Sequence, residues 1–323
     1  MMTIMDKPSR IILVTGGAGF IGSNFLNHVV KKYPDDTFIN LDALTYAGNL
    51  DNIEVPDADN YAFEKCDIRD TASLLGVFEK YTPTQVVHFA AETHVDNSIT
   101  SPDIFLETNI LGTHNLLKLS REYQVERFLH ISTDEVYGSL QRHDLPFTEN
   151  DPLKPNSPYS SSKAAAEMIV RAYQHTFGLP TLVTRCGNNY GPHQHFEKLI
   201  PLSIKKLMNG EAITLYGNGE NIRDWIYVQD HVEAIDLILH RGIPGELYNI
   251  GGVFEHTNNE IAQRLIALYS SQGSVEYIAD RLGHDFRYAL DISKIKSELG
   301  WTPRINFEQG LQETFKWYKA KLQ

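Results

Sequence analysis

Arg10-Ile11-Ile12-Leu13-Val14-Thr15-Gly16-Gly17-Ala18-Gly19-Phe20-Ile21-Gly22 carries the reading of the fold. Its first half is a short run rich in β-branched side chains, the pattern of a strand buried on both faces. Gly16, Gly19 and Gly22 then make a G-x-x-G-x-x-G loop, followed by a helix with Phe25, Leu26, Val29 and Val30 on one face. By itself such a loop is an ordinary strand–helix turn. In this context the glycines permit a tight turn, close approach of backbone N–H groups to a pyrophosphate, and close helix–strand packing. A second strand, Thr37-Phe38-Ile39-Asn40-Leu41, ends in Asp42, 20 residues beyond Gly22. A carboxylate there suits the ribose hydroxyls of an adenosine and repels a 2′-phosphate, which favours NAD over NADP.

The alternation continues outward. Residues 61–66 read as a strand ending at Asp67-Ile68, placed to touch an adenine. Gln85-Val86-Val87-His88-Phe89 is a further buried strand, and the small Ala90 and Ala91 after it let backbone lie against a cofactor. His94 and Asp96 read as structural loop residues rather than a catalytic pair. Residues 103–122 form an amphipathic helix, with Asn109 on its buried face as a sheet-side polar contact. Strand 126–132 follows. Repeated strand–helix–strand units predict a doubly wound parallel α/β sheet with ligands at the carboxyl ends of its strands. Thr15, Asp42, Asp67, Ala90 and Ser132 all lie at such ends.

Beyond the strand Thr181-Leu182-Val183-Thr184-Arg185 the texture changes to the Gly/Pro/Asn-rich turn 186–192 and shorter pieces. A helix near 201–209 follows, then a helix over 230–240 with Asp230 as its N-cap, and the strand 247–250. The expected division is a dinucleotide-binding domain over 1–189, with 226–252 returning to it. A smaller C-terminal α/β lobe, 190–225 and 253–323, caps the crevice.

With 323 residues, 42% of them hydrophobic, the chain has ample material for a large core. A net charge of -12 argues against a nucleic-acid partner, because phosphate backbones need clustered Lys and Arg. Cys66 and Cys186 are the two cysteines, in neither a C-x-x-C pair nor a zinc spacing, so neither a disulfide framework nor a metal is expected. No apolar run approaches the ~18 residues of a membrane span, so no membrane partner is expected. Residues 1–10 lack the apolar region of a signal peptide, and the cytoplasm is the expected location.

The chemistry is expected at Ser132-Thr133-Asp134-Glu135-Val136-Tyr137-Gly138, read with Tyr159-Ser160-Ser161-Ser162-Lys163. The first stretch sets a hydroxyl and two carboxylates directly after a strand. Elsewhere an adjacent Asp-Glu is a solvated loop pair. Here it can divide into an acid and a base, because like charges push their pKa values apart. Tyr159 and Lys163 stand one helical turn apart on the same face. A phenol beside an ammonium is expected to ionise near neutrality and to take a proton from a sugar hydroxyl.

On these motifs, with Arg223-Asp224-Trp225 and Asp230-His231, the chain resembles the extended short-chain dehydrogenases/reductases, in their sugar-nucleotide branch. The Ser-Thr-Asp-Glu-Val-Tyr-Gly run places it beside that branch's 4,6-dehydratases. Further agreements run from Asp42 to Leu50, at His94-Val95-Asp96, from Thr184 to Pro192, and at Asp280-Arg281 with Gly283-His284-Asp285. Asn97, Gly187, Leu282 and Phe286 depart from the usual pattern. The resemblance implies a Rossmann domain binding NAD through Gly16, Gly19, Phe20, Ile21, Gly22, Asp42, Asp67, Ile68, Ala90, Ala91 and Asn109. Tyr159, Lys163 and Asn189 would flank the nicotinamide. It implies Thr133, Asp134, Glu135, Tyr159 and Lys163 as catalytic residues. A nucleotide sugar would be held by Thr93, Thr133, Asn188, Lys198, Leu199, Tyr216, Arg223, Asn258, Asp280, Arg281 and His284, with Arg223 on the diphosphate. The substrate so implied is dTDP-glucose, with UDP- or CDP-glucose as alternatives. A 4-epimerase is the enzymatic rival and a non-catalytic NAD sensor the remote one. A homodimer through the helices 103–122 and 160–177 is implied as well.

Overall fold

The computed structural model describes residues 9–269 and 273–323. The strands are β1 (Ile11–Thr15), β2 (Thr37–Asp42), β3 (Tyr61–Lys65), β4 (Gln85–His88), β5 (Arg127–Thr133) and β6 (Thr181–Cys186). Then come β7 (Asn188–Tyr190), β8 (Ile213–Tyr216), β9 (Ile222–Tyr227), β10 (Leu247–Ile250), β11 (Glu255–Thr257) and β12 (Val275–Ile278). Seven of them form one parallel sheet in the order β10-β6-β5-β4-β1-β2-β3. Strand order reverses between β1 and β4, which opens a crevice at their carboxyl ends. Apolar residues on both faces explain the parallel arrangement. Ile12, Val14, Leu129 and Ile131 face one core with helices Phe20–Lys32 and Val228–Arg241. Leu13, Val86 and Phe128 face a second, under Leu116, Leu117 and Val170.

β9 pairs with β7 and β11 in a small sheet, and β8 with β12 in another. A separate core, with Ile204, Leu215, Trp225, Leu265 and Phe315, holds these pieces and the C-terminal helix Phe307–Leu322 together. This lobe lies against the crevice side of the large sheet. Among the described residues no helix is long and apolar enough to cross a membrane.

Two expectations change. The helix over 103–122 is continuous but not α throughout: Leu106–Gly112 is a π segment between Asp103–Phe105 and Thr113–Glu122. The wide turn fits two close contacts. A Cβ on Gly112 would stand 2.6 Å from Ile68 Cδ1, and Thr113 Oγ1 donates to the Asn109 carbonyl at 2.6 Å. Such bulges recur beside functional sites. Asp230 is not an N-cap: the helix begins at Val228 after Tyr227, and Asp230 Oδ2 accepts from the Ile305 amide at 2.9 Å instead.

Candidate active site

The glycine loop is shaped for a ligand's backbone contacts. Gly16 has φ +70°, and a Cβ there would lie 2.6 Å from the Ala90 amide nitrogen. A Cβ on Gly22 would run into the Gly16 carbonyl. Both glycines therefore keep the loop tight. Asp42 closes β2 with Oδ1 accepting from the Leu44 amide at 2.8 Å and Oδ2 from the Ala18 amide at 3.0 Å. Burial raises its pKa, and the two amides oppose that shift. Each oxygen keeps a lone pair for a ribose hydroxyl. This donor and acceptor set fits a dinucleotide.

β5 delivers the reacting groups. Thr133 ends the strand and caps the one-turn helix Asp134–Tyr137, its Oγ1 accepting from the Glu135 amide at 3.3 Å. Thr133 also donates to Asp134 Oδ1 at 3.2 Å. Asp134 is 2% exposed, and its Oδ2 has no partner. Burial first, then Glu135 and Asp224, push the Asp134 pKa well above the carboxylate range. Burial also raises Glu135, but Arg281, Arg223 and Lys198 counter it. Both carboxyls are therefore held above their ordinary values, Asp134 the further, which makes Asp134 the one suited to act as the acid.

Opposite them, helix Pro158–Phe177 starts with a capping box in which Ser157 Oγ accepts from the Ser160 amide and Ser160 Oγ from the Ser157 amide, both at 3.0 Å. That fixes Tyr159 and Lys163 on one face. Arg185 on β6 makes a buried pair with Glu167 of the same helix, with Nε 3.0 Å from Oε2, and so ties the helix to the sheet.

The phenol departs from expectation. Lys163 Nζ donates to the Ile131 carbonyl at 2.7 Å, and Tyr159 is held well above its ordinary pKa. Burial is the main cause, with the charges of Glu135 and Asp134 adding to it; the neighbouring Thr133 hydroxyl pulls the other way. Burial pushes Lys163 down to about 8. The chain alone thus keeps Tyr159 protonated, and a bound positive charge beside it is needed to release the proton.

One crevice is lined by Gly16, Gly19, Phe20, Ile21, Gly22, Asp42, Asp67, Ile68, Ala90, Ala91, Tyr159, Lys163 and Asn189. Thr93, Thr133, Asp134, Glu135, Asn188 and Lys198 share the same wall. Asn109, Leu199, Tyr216, Arg223, Asn258, Asp280, Arg281 and His284 stand outside it. Asn109 is 1% exposed, and its amide brackets the Glu92 backbone and donates to Ser162 Oγ at 2.9 Å. It braces the helix below Tyr159 instead of touching a cofactor. Arg223 is held by the Ile222, Asp285 and Phe286 carbonyls and lies 4.4 Å from the Tyr288 ring centre. Its charge acts on Glu135 and Asp134 from that fixed seat. Tyr216 donates to Asp96 at 3.1 Å, and Arg281 lies 3.9 Å from the same carboxylate. His94 Nδ1 accepts from the Asn97 amide, so His94 and Asp96 make separate contacts.

Two features escaped the sequence. Asp224 is a further buried carboxyl whose charge acts on Asp134, pushed up to about 7 by burial, with Oδ2 unpartnered. Its only signal was its place beside Arg223. Tyr46 donates to Glu197 at 3.3 Å across the mouth of the crevice, joining residues 151 apart in sequence. Leu44 and His193, in the two loops that meet there, have φ of 53° and 69°. Such conformations cost about 1–3 kcal/mol each and cluster at ligand clamps.

The family model described as GDP-mannose 4,6 dehydratase matches residues 13–314. The chain is 47% identical to the dTDP-glucose 4,6-dehydratase of Salmonella typhimurium, over 97% of this chain and 93% of the relative. The solved dTDP-glucose 4,6-dehydratase of Bacillus anthracis, in complex with NAD, is 48% identical with a TM-score of 0.90, covering 97% of each chain. The Streptomyces venezuelae enzyme of the same description, with NAD and TYD bound, is 47% identical with a TM-score of 0.91. It covers 96% of this chain and 97% of its own.

Proposed function

As the chain belongs to the GDP-mannose 4,6-dehydratase family, we propose that it is an NAD-dependent dTDP-glucose 4,6-dehydratase. It converts dTDP-glucose to dTDP-4-keto-6-deoxyglucose and water. The observation that carries this reading is the adjacent Asp134–Glu135 pair at the end of β5, Asp134 buried and Glu135 half-buried, sharing one crevice with Tyr159 and Lys163. A 4-epimerase has no use for such a pair, and a sensor has none for Tyr159 and Lys163.

Bound NAD supplies a two-electron acceptor for C4 and returns the electrons at C6. Tyr159 takes the proton of the 4-hydroxyl, with Thr133 on the same crevice wall. The 4-ketone so formed acidifies the C5 hydrogen, which Glu135 removes. Asp134, kept protonated by its burial, donates to the departing 6-hydroxyl. Glu135 then returns its proton to C5. Lys198, Arg223 and Arg281 provide the positive field that an anionic diphosphate needs, with Thr93 and Asn188 on the sugar side.

The test is incubation with dTDP-glucose, UDP-glucose and CDP-glucose separately, followed by mass spectrometry. Loss of one water from the dTDP sugar, with no net consumption of NAD, is the expected result. An unchanged mass with inversion at C4 would make the chain an epimerase.

The division into a dinucleotide-binding unit (1–189 with 226–252) and a substrate lobe belongs to the same proposal, as does a cytoplasmic location. So does a homodimer. Its support is that the helices 103–122 and Pro158–Phe177 leave Leu106, Leu111, Met168 and Phe177 exposed, at 46%, 57%, 46% and 46%. Leu111→Glu with Met168→Glu is expected to halve the mass seen in sedimentation equilibrium. An undiminished dimer would place the interface elsewhere.

A further inference from the structure

Two loops far apart in sequence meet over the crevice. Thr45, Ala47 and Gly48, just past Asp42 at the end of β2, line one side of it, and Gln194, His195 and Glu197, past β7, line the other. Tyr46 joins them. Its hydroxyl donates to Glu197 Oε1 at 3.3 Å, and its ring meets His195 edge to face with centroids 5.6 Å apart. Glu197 is steadied from its own loop, with Oε1 also 3.3 Å from Lys198 Nζ.

Each loop is fixed to the glycine-loop side at its base. The Asn49 amide and the Asn52 side chain both donate to the Ala18 carbonyl, at 3.0 Å and 3.1 Å. On the other loop, the Asn24 side chain of the first helix donates to the Pro192 carbonyl at 3.0 Å, and His193 Nδ1 lies 3.3 Å from Asn52 Oδ1. Gln194 Nε2 donates to the Asn189 carbonyl at 2.8 Å. The glycine loop, residues 45–52, the Tyr46 bridge and residues 192–197 therefore close a ring around the crevice. Tyr46 is 47% exposed, so water competes directly for its bond to Glu197. That bond is the link in the ring that opens most easily.

In a dehydratase as in an epimerase, the cofactor ends each cycle in the form in which it began. It has no need to leave between turnovers, so a barrier to its exit does not slow the reaction. We propose that Tyr46 and Glu197 form a latch on NAD, a bridge that opens for the dinucleotide to enter or leave and stays closed through turnover. The inference rests on NAD as the cofactor and holds whichever nucleotide sugar is used.

A latch and a binding contact differ in what they change. Opening a latch speeds passage in both directions and leaves the equilibrium alone, whereas losing a contact to NAD weakens binding. Labelled NAD on the protein, chased with excess unlabelled NAD, gives the exit rate. Equilibrium dialysis gives Kd, and the ratio of the two is the entry rate. For Tyr46→Phe, which keeps the ring against His195, exit and entry are both expected to rise about 3–10-fold, the range for losing one exposed hydrogen bond, with Kd unchanged. Glu197→Ala should speed both rates as well. Adding Tyr46→Phe to it should bring no further rise, because the shared bond is already gone. An exit rate equal to wild type in Tyr46→Phe would overturn the proposal. So would a faster exit matched by an equal rise in Kd, which makes these residues ordinary supports of the binding site, or rate increases that multiply in the double variant. Failure of the dehydratase reading would show in the nucleotide-sugar incubations and leave these NAD rates as they are.

Discussion

Asp134→Asn combined with Glu135→Gln is expected to separate oxidation from dehydration. On adding dTDP-glucose, the near-ultraviolet absorbance of reduced nicotinamide should rise and persist, while release of dehydrated product falls by at least about 10²–10⁴-fold. Both replacements keep shape and burial and remove the proton chemistry. Asp134→Asn leaves nothing to protonate the departing hydroxyl. Glu135→Gln leaves nothing to take the C5 proton from the ketone. The single variants should each lose most of what the double variant loses, since the groups act on one elimination and their effects do not add. Because burial and the neighbouring charges of Glu135 and Asp224 raise Asp134, the acid works while protonated. Dehydration by wild type should therefore fall as pH rises through that elevated pKa. Product release from the double variant at the wild-type rate would remove both carboxyls from the mechanism.

How far the sequence reaches depends on the distance over which a feature is encoded. The glycine loop, Asp42 and the Thr133-Asp134-Glu135 run are local: strand, turn and side chain sit within a few residues, and each was readable. The Tyr159–Lys163 face was readable from helical spacing alone. The pKa of the phenol was not, because it is set by burial and by Glu135, which arrive from another strand. Asn109 shows the same limit. Its buried position was visible from periodicity, but its partners Glu92 and Ser162 lie 17 and 53 residues away. The π segment needs Gly112 against Ile68, and the Tyr46–Glu197 bridge needs two loops from different parts of the chain. Neither is written in a window of ten residues. The fixed seat of Arg223 depends likewise on the carbonyls of 285 and 286.

Tyr159→Phe is expected to stop the reaction one step earlier than the carboxyl variants. No rise in reduced-nicotinamide absorbance should follow substrate addition, and product should fall by about 10²–10⁴-fold, because the 4-hydroxyl proton has no acceptor. Folding should survive, since the ring stays packed against Phe105 and the helix start rests on Ser157 and Ser160. Lys163 gives the companion arm. Its ammonium favours a charged phenolate electrostatically, so Lys163→Met should move the rising limb of the oxidation rate to higher pH without abolishing oxidation. The sign follows from the base: it must be deprotonated, so the rate climbs with pH through its pKa, and removing a nearby cation raises that pKa. Lys163, pushed down to about 8 by burial, loses its own charge on the alkaline side. The wild-type advantage over Lys163→Met should therefore narrow above that pH. An unshifted limb in Lys163→Met would mean that a bound cation alone sets the phenol, and Lys163 only holds the Ile131 carbonyl. Accumulation of reduced cofactor in Tyr159→Phe would move the base to another residue.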